Sequence, residues 1–385
     1  MKNICLLGVT GSIGLQACDI ISNHKDRFSL LAVSCNTSIK TLKDVLNKFD
    51  SIKYVSVSSS IVDELRKEYP NITFYTDEEG LIELIKNSKP DMVVNALVGF
   101  VGLKPTVYTI ENNIDIALAN KESLVIGGEL INDLLKTHSS KLYPIDSEHV
   151  ALAKLLKNRN IDDIASLVIT ASGGSFRNLS REELVGVTVE DALNHPSWSM
   201  GAKITIDSAT MVNKAFEIIE AYHLFGIKGD KIKVLLHDES YIHSLLLMND
   251  NSYIADIGPR DMRIPIAYAL FEGNYIKDEN LPKLDLADVC SLNFRKLNKD
   301  RYPALDLAYR VIKEKGTLGA VFNAANEACN LAFRENRLPF NKIEEIILQM
   351  MNSHRIIDNP TLEDLIYVHS STYKETEEYI AKEVK

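Results

Sequence analysis

The first 146 positions alternate short apolar runs with segments of helical periodicity. Ile4–Leu7, Leu30–Val33, Tyr54–Val57, Met92–Leu97, Ile114–Leu118 and Lys141–Pro144 read as strands. Strands separated by helix-length stretches predict a parallel sheet covered on both faces, the doubly wound α/β arrangement. Beyond Ile145 the rhythm changes. Segments dense in Ser, Gly, His and Asn (Thr170–Arg177, Asn194–Gly201, Asp207–Lys214) read as loops, and Leu167–Thr170, Lys231–Leu236 and Tyr241–Met248 as strands. The C-terminal part is helical, with start signals at Asn341-x-x-Glu344 and Thr361-x-x-Asp364. The expected fold class is α/β: a Rossmann-like domain over 1–146, a central α+β catalytic domain over 147–271, a linker over 272–302 and a small helical domain over 303–385.

A chain of 385 residues is long enough for several cores. With 43 basic and 53 acidic residues the net charge is −10, which disfavours nucleic acid and anionic membrane as partners and requires a local basic pocket for any anionic substrate. The five cysteines are scattered, without C-x-x-C spacing, and read as reduced core thiols. The apolar start, Ile4–Leu7, is too short for a signal-peptide core and leads into a glycine turn, so a cytoplasmic location is expected.

That turn, Gly8-Val9-Thr10-Gly11-Ser12-Ile13-Gly14, stands between a strand and a helical run, where glycines let a backbone approach a pyrophosphate. The spacing is G-x-x-G-x-x-G, which alone also fits a plain tight turn. After the second strand, where an NAD site carries an acid for the ribose, the chain has Asn36-Thr37-Ser38 with Lys40 nearby. Hydroxyls and an amide there accept a 2′-phosphate without repulsion and favour NADP; a featureless loop is the alternative.

Asp146-Ser147-Glu148 follows a strand, at the edge where ligands of open α/β sheets bind. Paired carboxylates suit a hard cation, Mg²⁺ or Mn²⁺, although such a pair alone is usually a solvated one. Asp207–Glu217 brings hydroxyl, amide and ammonium donors (Ser208, Asn213, Lys214) and then Glu217 on the helix face of Lys214, fitting both a phosphate and a cation; an exposed ion pair is the alternative. Ser172-Gly173-Gly174 resembles an anion-binding nest. His195–Gly201 holds the single tryptophan, Trp198, as a lid or as core. Asn120-Lys121-Glu122 sits at another strand end, with Lys121 aimed at a reacting carbonyl or merely opening a helix.

In this order the segments GVTGSIG, ALVGFVGLKPT, LANKESLV, PIDSEHVA, TASGGSFR, HPSWSMGAKITIDSATMVNKAFE, DMRIPIAYAL, RYPALDLA and NAANEA closely resemble the 1-deoxy-D-xylulose 5-phosphate reductoisomerase family, over nearly the whole chain. The resemblance implies rearrangement and NADPH-dependent reduction of that keto-sugar phosphate to 2-C-methyl-D-erythritol 4-phosphate, in the non-mevalonate isoprenoid route. It implies Asp146, Glu148 and Glu217 as metal ligands, and Ser172, His195, Ser208, Asn213 and Lys214 around the phosphate. Ser147 and Lys121 would face the polar middle of the substrate, beside the metal-held Glu148 and Glu217. Lys121, Glu148 and Trp198 would take part in catalysis. Gly8, Thr10, Gly11, Ser12, Ile13, Gly14, Asn36, Thr37, Ser38, Asn120, Glu122 and Gly201 would meet the cofactor. A homodimer is also implied. The Asn36-Thr37-Ser38 stretch departs from the Gly and basic residue of many relatives. Two other classes remain in view: a simple NADP-linked reductase, which would need no metal, and a non-enzymatic dinucleotide-sensing regulator, which would not oxidise NADPH.

Overall fold

The computed structural model describes residues 1–198 and 200–383 and divides into two compact units. The first comprises Met1–Ser123, Ile131–Asp146 and Asp261–Leu281, and the second Leu124–Leu130, Ser147–Arg260 and Pro282–Lys385. The central grouping expected over 147–271 is therefore crossed by Asp261–Leu281. The reason is apolar: in the helix Arg263–Leu270 every residue from Pro265 to Leu270 is buried, and Ile266, Ala267, Ala269 and Leu270 join the first unit's core. The expected linker is split at Leu281, and the helices of 303–385 lie in the second unit.

The first unit holds seven parallel strands: β1 Lys2–Leu7, β2 Phe28–Ser34, β3 Tyr54–Val57, β4 Thr73–Thr76, β5 Met92–Asn95, β6 Asp115–Leu118 and β7 Leu142–Pro144. Their order is β4-β3-β2-β1-β5-β6-β7. Ile4, Cys5, Leu6 and Leu7 are all fully buried, as a strand covered on both faces requires. The strand order reverses between β1 and β5, which puts the turn after β1 at the topological switch point. Sequence periodicity misses β4, a four-residue edge strand of only Thr-Phe-Tyr-Thr.

The second unit holds a mixed sheet of order β11-β10-β8-β9, built from β8 Ile164–Ala171, β9 Ile232–Leu236, β10 Ile242–Met248 and β11 Tyr253–Ile257. β10 runs antiparallel to both neighbours and β8 pairs with β9 in parallel. β11 is the other missed strand; it lies at an edge with Tyr253 and Ile257 exposed, so it lacks the apolar alternation of a half-buried strand. The stretch Asp207–Lys214, expected as a loop, is instead helix, turn and helix. Ala202–Ala209 ends at Thr210, Met211 adopts a left-handed φ of 61°, and Val212–Phe225 begins. Its hydroxyl-rich composition marks a helix junction, where such side chains compete with backbone bonding. At the last helix, Leu362–Glu383, Thr361 and Asp364 cap each other reciprocally, as their spacing predicts. Among the described residues no helix is long and apolar enough to cross a membrane.

Candidate active site

In the first unit the dinucleotide candidates gather at the carboxyl edge of the sheet. Gly8 takes a φ of +81°, and a Cβ there would stand 2.6 Å from the Ala96 carbonyl oxygen, so only glycine fits. A Cβ on Gly14 would meet the Gly8 carbonyl oxygen at 2.3 Å, which explains the third glycine of the turn. The Gly8 N–H donates to Ser34 Oγ (2.9 Å) and Val9 N–H to the Ser34 carbonyl (2.8 Å), tying the turn to β2. The Thr10 hydroxyl reaches Cys35 Sγ at 3.5 Å. Ser12 opens the helix Ser12–Asn23, capped by no side chain, with Ile13 in its first turn. Gly11 and Ser12 are exposed, as are Asn36, Thr37 and Ser38 beyond the end of β2.

Asn120 and Glu122 are buried rather than displayed. The Asn120 amide donates to the Leu97 (3.0 Å) and Gly99 (2.9 Å) carbonyls and to Glu122 Oε2 (3.1 Å), while its oxygen accepts from Ser123 N–H (3.1 Å). Asn120 thus caps the helix Lys121–Thr137 and shapes the 97–99 loop. Lys121, also buried, donates to Asp146 Oδ2 at 2.8 Å. Asp146 ends the segment Ile131–Asp146 of the first unit, one peptide bond before Ser147.

Two clusters form in the second unit. In the first, Ser147 opens the helix Ser147–Leu156 and its hydroxyl bonds to Glu148 Oε2. The Lys214 ammonium donates to Glu148 Oε1 (2.8 Å) and to Glu217 Oε2, and Asn213 Nδ2 donates to Glu217 Oε1 (2.6 Å). Burial works against the Lys214 ammonium, but Glu148 and Glu217 outweigh it and hold its pKa above the ordinary value. Glu217 is 1% exposed. The expectation put Asn213 and Lys214 on a phosphate; here both attend carboxylates. Sequence reasoning gave no role to His149, fully buried and donating from Nε2 to the Glu217 carbonyl at 2.9 Å. Its signal was its place directly after Glu148.

The second cluster centres on His195. Its Nδ1 accepts the backbone N–H groups of Ser197 (3.2 Å) and Trp198 (3.0 Å), which leaves the ring proton on Nε2. Nε2 then faces Ser172 Oγ at 3.1 Å and Ser208 Oγ at 3.4 Å. Burial, with the positive charge of Arg177 second, pushes the His195 pKa down to about 4, so the ring is neutral at physiological pH. Ser172 Oγ also accepts Gly174 N–H (3.3 Å), and Gly173 and Gly174 have φ of +84° and +73°, as a nest of backbone donors needs. Trp198 is half-buried. Gly201 precedes the helix Ala202–Ala209, and a Cβ there would meet nothing within 4 Å among the described residues. Ser199 of the same motif lies outside the described residues.

A dinucleotide-type sheet, a carboxylate–lysine cluster and a neutral imidazole–hydroxyl cluster, carried by one chain, define a nucleotide-dependent oxidoreductase that handles an anionic substrate. Family models for 1-deoxy-D-xylulose 5-phosphate reductoisomerase match residues 4–128, its C-terminal domain residues 142–225, and a DXP reductoisomerase C-terminal domain residues 257–375. The chain is 45% identical over 377 residues to the 1-deoxy-D-xylulose 5-phosphate reductoisomerase of Halalkalibacterium halodurans, covering 97% of this chain and 98% of that protein. A crystal structure of DOX-P reductoisomerase in complex with NADPH, fosmidomycin and magnesium superposes with a TM-score of 0.92 at 33% identity, covering 99% of this chain and 98% of the other. The Zymomonas mobilis enzyme in complex with NADPH gives 0.90 at 34% identity, covering 99% of each chain. This chain belongs to the 1-deoxy-D-xylulose 5-phosphate reductoisomerase family.

Proposed function

We propose that the chain converts 1-deoxy-D-xylulose 5-phosphate to 2-C-methyl-D-erythritol 4-phosphate, with NADPH as hydride donor and Mg²⁺ or Mn²⁺ as metal. The observation that carries this reading beyond family membership is the pairing of two unlike clusters in the second unit. One is rich in carboxylate oxygen and already accommodates a cationic group. The other offers neutral donors to an anion.

Asp146, Glu148 and Glu217 are the residues that would hold the metal. They fit it, because the donor set is hard oxygen throughout and the Lys214 ammonium is held directly between Glu148 and Glu217. Bound there, the cation supplies Lewis-acid stabilisation of the charge that develops on the substrate oxygens. The protein's own groups do the rest. His195 Nε2–H, the Ser172 and Ser208 hydroxyls and the backbone N–H groups after β8 receive the phosphate, with Asn213 and Lys214 as further donors. Because His195 is neutral, it binds as a hydrogen-bond donor whose proton position is fixed by the Ser197 and Trp198 amides. Ser147 and Lys121 orient the hydroxyl-bearing middle of the substrate, and Trp198 excludes water from it. Gly8, Thr10, Gly11, Ser12, Ile13 and Gly14 take the pyrophosphate side of NADPH, and Asn36, Thr37 and Ser38 the 2′-phosphate. Asn120, Glu122 and Gly201 complete the cofactor contacts, the first two through the loop they shape. The protein acts in the cytoplasm as a homodimer; a monomeric mass by light scattering at micromolar concentration would contradict the latter.

The deciding experiment is NADPH oxidation on 1-deoxy-D-xylulose 5-phosphate with and without added Mg²⁺ or Mn²⁺, with NADH run in parallel. Turnover that requires metal, prefers NADPH and gives the branched polyol phosphate is expected. Full turnover in excess chelator would remove the metal role, and equal kcat/KM with NADH would remove the role of Asn36-Thr37-Ser38.

A further inference from the structure

The NAANEA segment has no function in the reading above. It lies in the helix Leu318–Arg334, whose residues Asn326 and Asn330 are one turn apart and 1% and 0% exposed. Both aim their amide nitrogens at one atom: Asp207 Oδ1 accepts Asn326 Nδ2 at 3.0 Å and Asn330 Nδ2 at 2.7 Å. The other carboxylate oxygen takes the Lys203 ammonium at 2.9 Å, and Asn330 also donates to the Lys203 carbonyl at 3.0 Å. Asp207 itself is 3% exposed.

Such an arrangement is demanding. Among the described residues the buried amide oxygens of Asn326 and Asn330 accept no hydrogen bond, so both side chains forgo half of their capacity to keep their donors on Asp207. A buried carboxylate held by three donors is fixed in place. What it fixes is the end of the helix Ala202–Ala209. Ser208 follows directly, and after the left-handed Met211 the next helix carries Asn213, Lys214 and Glu217. Phe216 of that helix meets Phe322 of the asparagine-bearing helix edge-on at 5.1 Å, closing the junction of three helices.

We propose that Asp207 is a positioning residue for the phosphate subsite: clamped by Asn326, Asn330 and Lys203, it sets the place of Ser208 beside His195, so the helix Leu318–Arg334 governs phosphate affinity without touching the ligand. The proposal rests on the reading of Ser208 as a phosphate donor.

Asn330→Asp sets carboxylate against carboxylate. Adding Asp207→Asn reverses the pair: the new amide donates one N–H to the residue 330 carboxylate and one to the Asn326 oxygen after that amide turns over, while its own oxygen accepts from Lys203; only the bond from residue 330 to the Lys203 carbonyl stays lost, because a carboxylate cannot donate. Asn330→Asp should raise both the KM for 1-deoxy-D-xylulose 5-phosphate and the dissociation constant of inorganic phosphate roughly tenfold. NADPH affinity should stay unchanged, and the double variant should recover part of the loss, since the residue 330 carboxylate still faces the Lys203 carbonyl. A purely structural role would move neither phosphate affinity selectively nor its rescue by the reversed pair. If Asn330→Asp does not fold, Asn326→Ala, which removes one donor, replaces it with about a threefold expected rise. Ser208→Ala separates the two layers. No effect of Ser208→Ala on phosphate binding would overturn the subsite reading and the proposal together. A loss with Ser208→Ala, but unchanged phosphate affinity in the folded clamp variant, would overturn the proposal alone.

Discussion

The two clusters of the second unit are both polar and at least half-buried, yet they settle charge in opposite ways. Around Lys214 one ammonium is shared by the carboxyl groups of Glu148 and Glu217. Around His195 the groups are uncharged, since burial and Arg177 keep the imidazole deprotonated and the hydroxyls of Ser172 and Ser208 meet its Nε2–H. A buried carboxylate pair is tolerable only with a cation between its oxygens, which suits it to exchange one cation for another. Neutral donors bind an anion without first losing a partner ion. The difference is the basis on which we propose the first cluster for the reacting end of the substrate and the second for the phosphate.

The largest expected effect comes from breaking the charged cluster. Glu217→Gln removes a carboxylate that is 1% exposed and leaves Lys214 with Glu148 alone. We expect kcat to fall by roughly 100-fold or more, with saturating Mn²⁺ restoring only part, because a metal ligand acts where charge develops. Near-normal kcat and metal affinity in this variant would show that Glu217 serves only the ion pair.

Lys214→Ala sharpens the comparison, because Lys214 was expected at the phosphate and is found on the carboxylates. With the substrate and metal in place its ammonium is released to the anion, so KM should rise by about tenfold with a smaller change in kcat. An unchanged KM with tighter metal binding would instead confine Lys214 to the charged cluster, as a cation that competes with the metal.

Much of this was legible in the sequence where chemistry follows local order. The three-glycine turn, the parallel sheet and the shared helix face of Lys214 and Glu217 need only neighbouring residues to be read. The edge strands Thr73–Thr76 and Tyr253–Ile257 were not legible, because a strand at an edge bears little of the apolar pattern that burial imposes. Nor were contacts between distant segments. The hold of Asn326 and Asn330 on Asp207 spans 119 and 123 positions, and the return of Asp261–Leu281 to the first unit depends on a packing partner far away in the chain. His195 was readable as a candidate site residue, but its neutral state was not, since that comes from burial and from two amides that fix its acceptor nitrogen.

The smallest expected effect tests that neutral state. The His195 pKa lies at about 4 in the folded chain against an ordinary 6.5. Between those values the unfolded chain takes up a proton that the folded chain refuses. The stability linked to this residue is therefore complete above pH 6.5 and is lost as the pH falls toward 4. His195→Gln cannot titrate, so the stability difference between wild type and variant, followed by urea midpoints at steps from pH 7 to pH 4.5, should shift against the wild type as the pH drops. His223, also buried and pushed down to about 4, titrates in the same direction in both proteins and cancels in the difference. His195 is only partly shielded from solvent, so the shift should be modest. Parallel curves would mean that the imidazole protonates as freely in the folded protein as in the unfolded one, and the contrast between a charged and a neutral cluster would then fail at its His195 side.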